Sequence, residues 1–191
     1  MTLEENSAEF IKRFEGYAPV AMWDVNAWRI GHGSDTLTLP DGTYRKVKQG
    51  DKTTPEMAKK DLERRTQEFI SRARATIGPV YWDRLPDQAK VALVSIAYNY
   101  GNITKQGMID AARSGNMAAL SQAIAQAQTD NNGINAKRRL QEASLVQSAI
   151  ALAKIHPRIT IAVFVIAVLM IIAAILLLIY RKKIAGSLTK M

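Results

Sequence analysis

The alternation of apolar and polar positions divides the chain into four stretches of different character. In the first, Phe10, Ile11 and Phe14 recur at the spacing of one helical face. Asn6 stands as a cap with Glu9 three positions on, so a short helix is predicted over about residues 6–15, stopped by Gly16. In the second stretch, residues 17–50, Pro19, Gly31, Gly33, Pro40, Gly42 and Gly50 interrupt the chain too often for helices. Residues 28–30 and 37–39 read as strands and Asp41-Gly42 as a hairpin turn, giving a small, irregular antiparallel sheet. From Thr53 the pattern turns helical. Thr54-Pro55-Glu56 opens a helix that runs to about Ala75 and stops near Gly78-Pro79. Pro86-Asp87 opens another, apolar nearly all round and therefore buried, that ends at Gly101. Shorter helices are predicted over residues 105–114 and 117–128, a loop at Asp130-Asn131-Asn132-Gly133, and a helix again over 135–153.

The fourth stretch changes solvent. Residues 159–180 form a run of 22 positions without a charge. A helix of that length spans about 33 Å, enough for a hydrocarbon core of about 30 Å. Pro157 separates it from the preceding helix, and Arg158 and Arg181-Lys182-Lys183 mark the two interfaces. The predicted organisation is a domain over residues 1–153, a juxtamembrane linker over 154–158, a transmembrane helix over 159–180 and a basic tail over 181–191. The fold class that follows is α+β and mainly helical, with a small antiparallel sheet and one C-terminal transmembrane helix.

Charge alters this picture less than its total suggests. The formal net charge of +9 looks like a nucleic-acid signal until it is divided along the chain. Residues 1–150 carry a net +3, whereas residues 151–191 hold six cations and no acid. No basic stripe with aromatics between its charges is present, so nucleic acid is excluded as a partner. A mildly basic domain does suit an anionic polymer such as the bacterial cell wall. There are no cysteines, and the two histidines, His32 and His156, make no metal cluster. The acidic N-terminus lacks an apolar core, so no secretion signal is expected. Gly31-His32-Gly33 has neither the parallel-strand context nor the following helix of a dinucleotide loop.

The chemistry concentrates in residues 14–36, which hold two carboxylates, Glu15 and Asp24. A carboxyl at the end of a packed helix, against apolar neighbours, keeps its proton; one in an open polar loop stays ionised. Two such groups facing one bond are what glycoside cleavage requires.

At these residues the chain resembles the phage-type lysozymes, the muramidases of glycoside hydrolase family 24. Phe14-Glu15-Gly16, Asp24 and Ile30-Gly31-His32-Gly33 match that family's active-site segment in order and spacing. Residues 92–101, ALVSIAYNYG, are similar to its central helix, and residues 137–145, KRRLQEASL, to its arginine-arginine-glutamate helix. The resemblance covers roughly residues 6–148 and departs at Arg29, where the family has a threonine.

What the resemblance implies is a lysozyme-like fold that cuts peptidoglycan at the β-1,4 link between N-acetylmuramic acid and N-acetylglucosamine, without a cofactor. Glu15 would be the general acid, and Asp24 would stabilise the positive transition state or orient water. An arginine cannot hold a nucleophilic water as a short hydroxyl does. Arg29 would pair with Asp24 or Glu15, leaving Ser34 or Thr36 to supply a hydroxyl. The alternative is lytic transglycosylase chemistry, in which the sugar's own C6 hydroxyl displaces the bond. Trp23 and Trp28 are candidate sugar platforms, His32 a loop histidine of the cleft, and Asn99 a hydrogen-bonding residue near it. Arg138 and Arg139 with Glu142 form helix-spaced ion pairs. The expected partners are peptidoglycan and a lipid bilayer, with other viral membrane proteins conceivable. The positive-inside tendency holds the short tail in the cytoplasm and places the domain outside. The expected locations are a phage virion's internal membrane, for genome entry, or the host inner membrane, for lysis. The rival from another class is a wall-binding membrane protein that keeps the fold and has lost catalysis.

Overall fold

The computed structural model describes residues 1–152; the predicted span and its flanks, residues 153–191, lie outside the described residues. The chain divides into two units, Met1–Ala149 and Ile150–Met191. No helix among the described residues is long and apolar enough to cross a membrane.

Helix α1 spans Leu3–Lys12, three residues earlier than the sequence suggests. The capping box that forms is Thr2 with Glu5: the Thr2 hydroxyl accepts from the Glu5 amide and the Glu5 carboxylate accepts from the Thr2 amide. Asn6 is thereby drawn inside the helix, its amide bonded to the Thr2 carbonyl. At the other end the Phe14 and Glu15 amides both turn back onto the Ile11 carbonyl. Glu15 thus sits in a tight turn beyond the helix, not in its last residue.

Strands β1, Ala18–Asp24, and β2, Ala27–Gly31, form one antiparallel hairpin. Strands β3, Thr36–Thr38, and β4, Tyr44–Lys46, form a second. The Asp41-Gly42 turn is as predicted, with the Asp41 carboxylate accepting from both the amide and the hydroxyl of Thr43. The expected single sheet is therefore two two-stranded ladders. They share a small core of Ala21, Ile30, Leu37 and Val47.

Helix α2, Pro55–Ile77, carries the cap foreseen at Thr54 and stops at Gly78, whose φ is 94°. A short α3, Pro79–Trp82, leads into α4, Asp87–Tyr100. Val91 to Ala97 of α4 are all buried, which makes this helix the axis of the larger core; α1 and α2 pack on it. Its end at Gly101 has φ 84°, a left-handed stop. Helices α5, Gln106–Arg113, and α6, Met117–Gln126, follow. The predicted loop at 130–133 is instead the end of a 3₁₀ turn, Ala127–Gly133, in which α6 tightens before the chain reverses. Helix α7 covers residues 136–152.

Candidate active site

The turn after α1 carries Glu15 into the open, where α7 meets it from across the chain. Arg138 Nη1 donates to Glu15 Oε1 at 2.8 Å, and the guanidinium lies 5.2 Å from the centre of the Phe14 ring. The Arg138 side chain is 5% exposed and that of Glu15 22%. The apolar surroundings expected of Glu15 are therefore interrupted by a cation. On its far side Arg138 donates to the Ser95 carbonyl and hydroxyl, each at 3.1 Å, and to Glu142 at 3.3 Å. Arg139 adds a 2.8 Å bond to the same carboxylate. The i,i+3 and i,i+4 pairs read from the sequence are thus present, but buried. Burial pushes the Glu142 carboxyl up to about 7, against the pull of Arg139 and Arg138.

The glycines of the Ile30-Gly31-His32-Gly33 turn have identifiable causes. Gly31, at φ +60°, lies where a Cβ would meet the Ala58 Cβ of α2 at 3.0 Å. Gly33, at φ +73°, lies where one would meet Glu15 Oε2 at 3.2 Å. The first lets the hairpin pack on α2, and the second leaves room for the carboxylate.

Asp24 stands at the tip of the first hairpin, next to Val25, whose φ of 47° is costly for a β-branched residue. Its carboxylate is 62% exposed and lies 3.5 Å from Arg29 Nε. Of the two acids, Arg29 pairs with Asp24. The register explains why: Met22 opposes Arg29 and Asp24 opposes Ala27, so Asp24 and Arg29 share a face. Trp23 opposes Trp28 on the other face, edge to face at 5.6 Å. Neither tryptophan lines the cleft that Asp24 and Arg29 border.

That cleft holds about 570 Å³ and is walled by β-hairpin residues, by α2 and by the end of α4. Glu15, Asp24, Thr36, Tyr44, Arg64, Arg65 and Asn99 are among its lining residues. A second hollow of about 610 Å³ continues past Glu15, between Arg13, Lys137, Arg138 and Gln141. Glu15 and Asn99 line both, so they stand where the trough that holds Asp24 adjoins this second hollow. Asn99 Oδ1 is buried there without a hydrogen-bond partner among the described residues.

The remaining candidates serve as supports. His32 is buried, its Nδ1–H donates to the Gly16 carbonyl at 2.9 Å, and its own carbonyl accepts from Tyr98. It fixes the turn behind Glu15 and does not line the trough. Burial pushes the Tyr98 hydroxyl up to about 12, so it remains a donor. Ser34 is buried, its hydroxyl bonded to the Thr36 amide and hydroxyl. Thr36 reaches the trough, but its hydroxyl accepts from Arg64 Nη2 at 2.5 Å and donates to Asp61 at 3.4 Å. Among the described residues no cluster of acids and histidines is arranged to hold a metal ion.

Sequence reasoning missed the α2 wall. Asp61, Arg64, Arg65, Glu68 and Arg72 recur at helical spacing along one side of α2, and four of them line the trough. A charged stripe beside the buried Leu62, Phe69 and Ala73 was the signal available. Asp35 belongs to the same border. Burial alone would raise its carboxyl, but Lys46 and Arg65 outweigh that and hold it below the usual range.

Comparison with known proteins agrees with this fold. The family model described as phage lysozyme matches residues 12–142. An endolysin from Escherichia coli O157:H7 phage FAHEc1 is 26% identical, with a TM-score of 0.60 over 76% of this chain and 93% of that one. A mutant of P22 lysozyme is 23% identical, with a TM-score of 0.62 over 77% of this chain and 99% of the other. The muramidase domain of SpmX from Asticaccaulis excentricus is 22% identical, at 0.58 over 76% and 97%. The last two likenesses concern the fold alone. No curated protein matches the chain.

Proposed function

This chain belongs to the phage lysozyme family and is a glycoside hydrolase acting on peptidoglycan, and from that premise we propose that Glu15 and Asp24 cut the β-1,4 bond between N-acetylmuramic acid and N-acetylglucosamine. The observation that carries the assignment is that both carboxylates line one trough, with Arg138 anchoring the first and Arg29 beside the second. Glu15 donates its proton to the leaving oxygen. A glycan laid over it excludes water from the carboxyl, a condition that favours the transfer. Asp24, open and paired with Arg29, faces the positive charge that develops on the cleaved sugar. Asn99 Oδ1 offers a ready acceptor for a substrate amide or a water at the same place.

The sequence leaves two ways of completing the reaction. Hydrolysis needs a positioned water, and the hydroxyls of Ser34 and Thr36 are already engaged within the protein. That observation favours, as a second reading, attack by the sugar's own C6 hydroxyl. Mass spectrometry of digested wall separates the two: reducing muramic acid ends mark hydrolysis and 1,6-anhydro ends mark transglycosylation.

Deployment follows from residues 159–180, whose uncharged run supports a single membrane span. The enzyme is held in a phage particle's lipid membrane and meets the wall during genome entry. Zymography of detergent-stripped, purified particles tests this; a lytic band confined to infected-cell membranes overturns it in favour of host lysis. Catalysis is tested by Glu15→Gln, which is expected to lower clearing of purified peptidoglycan by about 10²–10⁴-fold. A variant that keeps more than about a hundredth of the rate removes Glu15 from the role.

A further inference from the structure

We propose that Tyr44 is the sugar-stacking platform of the trough, a role that rests on reading the trough as a glycan site. A pyranose presents a flat face of axial C–H groups, and a rigid aromatic ring with one free face is its natural complement. Trp23 and Trp28 lie on the face of the first hairpin opposite Asp24 and Arg29 and do not line the trough. Tyr44 opens β4, lines the trough and is 56% exposed.

One face of its ring is already occupied. The Arg64 guanidinium carbon lies 4.0 Å from the ring centre. Arg64 is itself fixed by Glu68 at 2.5 Å, Asp61 at 2.9 Å and the Thr36 hydroxyl at 2.5 Å. A planar cation pinned at three points holds the ring in one orientation and leaves the opposite face to solvent. Exposed aromatic rings ordinarily lose rotamer freedom when a ligand lands on them; this one has lost much of it beforehand. Lys46, in the same strand, and Glu68 at the rim offer a donor and an acceptor for the hydroxyl and acetamido groups of a stacked sugar. The ring thus sets how far along the trough a glycan strand is gripped on the β-hairpin side of Glu15.

The test compares Tyr44→Phe, Tyr44→Leu and Tyr44→Ala with the wild type, as full-length protein in detergent. Calorimetry with a β-1,4-linked hexamer of N-acetylglucosamine reads binding, and clearing of a peptidoglycan suspension reads KM and kcat. The phenylalanine variant keeps the flat face and is expected to bind within twofold of wild type. The leucine and alanine variants are expected to lose about tenfold in affinity and to raise KM by a similar factor, with kcat nearly unchanged. The leucine variant keeps apolar bulk in place, so a parallel loss there, at unchanged melting temperature, separates stacking from folding. An alanine variant that binds within twofold overturns the proposal. So does a phenylalanine variant as weak as alanine, or a wild type with no measurable affinity for the hexamer. A wild type that binds through Tyr44 yet leaves walls intact overturns the enzymatic reading and keeps the platform.

Discussion

Replacing Arg138 by methionine tests the reasoning about the site most directly, because one side chain there serves two carboxylates. The guanidinium is 5% exposed and contacts Glu15, Glu142 and two oxygens of Ser95. Methionine nearly fills the volume, so little cavity remains and the loss is electrostatic. Taking one partner from a buried ion pair costs about 3–5 kcal/mol where the remaining carboxylate stays ionised, so unfolding is read above pH 7, where Glu142 carries its charge. Glu142 keeps Arg139, which sets the expectation near the lower figure. For a domain of this size about 3 kcal/mol corresponds to a fall of roughly 6–12 °C in melting temperature. Denaturant unfolding of wild type, Arg138→Met, Glu15→Gln and the double variant closes a thermodynamic cycle. Contacting charged residues couple by about 0.5–3 kcal/mol, and the 2.8 Å Glu15–Arg138 contact predicts a value within that range. A coupling below about 0.3 kcal/mol refutes the claim that Arg138 anchors Glu15. A single-variant cost below about 1 kcal/mol refutes the claim that its charge is buried and needed.

Other outcomes follow from the same contacts. Gly33→Ala, which strains a left-handed φ and sets a Cβ at 3.2 Å from Glu15 Oε2, is expected to cost about 1–2 kcal/mol and to lower wall clearing; unchanged activity refutes the close approach. Glu142, raised from 4.5 to about 7, binds more protons folded than unfolded, so stability is expected to fall as pH rises from about 4.5 to about 7. Asp51, lowered to about 2 by its Arg45 pair, acts only below pH 4, outside that window. A urea midpoint that rises between pH 5 and 7 contradicts the Glu142 assignment. Arg29→Thr is expected to increase the share of reducing ends in digested wall; an unchanged product ratio makes Arg29 a spectator. Deleting residues 155–191 is expected to leave a soluble, active enzyme, and an insoluble product argues that the apolar run packs on the domain.

How legible the fold was depended on the kind of signal. Helices α2 and α4 were readable at both ends, because Thr54-Pro55 and Pro86-Asp87 start them and glycines with positive φ stop them. Helix α1 was misplaced because two box-like spacings overlap, and the earlier one gives the chain an additional hydrogen-bonded turn. Strand β1 carried no alternation to find: only Ala21 is buried, and Pro19 lies within it. That omission produced the error over the tryptophans. Once residues 18–24 are a strand, Trp23 and Asp24, as consecutive residues, must point to opposite faces. Glu15 and Asp24 were singled out through the resemblance of residues 14–33 to the family's active-site segment, and both line the trough. The cation that holds Glu15 was not readable, since no local pattern reports a contact between a turn near the N-terminus and a helix near residue 138.

That contact also sets a clock. Arg138 follows Glu15 by 123 residues. At translation rates of about 5–20 residues per second, roughly 6–25 s pass between the synthesis of the acid and that of its anchor. For most of that interval the nascent chain holds its carboxylates and its Ile30-Gly31-His32-Gly33 turn but lacks the residue that contacts Glu15 from α7. If Glu15 is the acid proposed above, the site is complete only near the end of domain synthesis, once α7 has emerged.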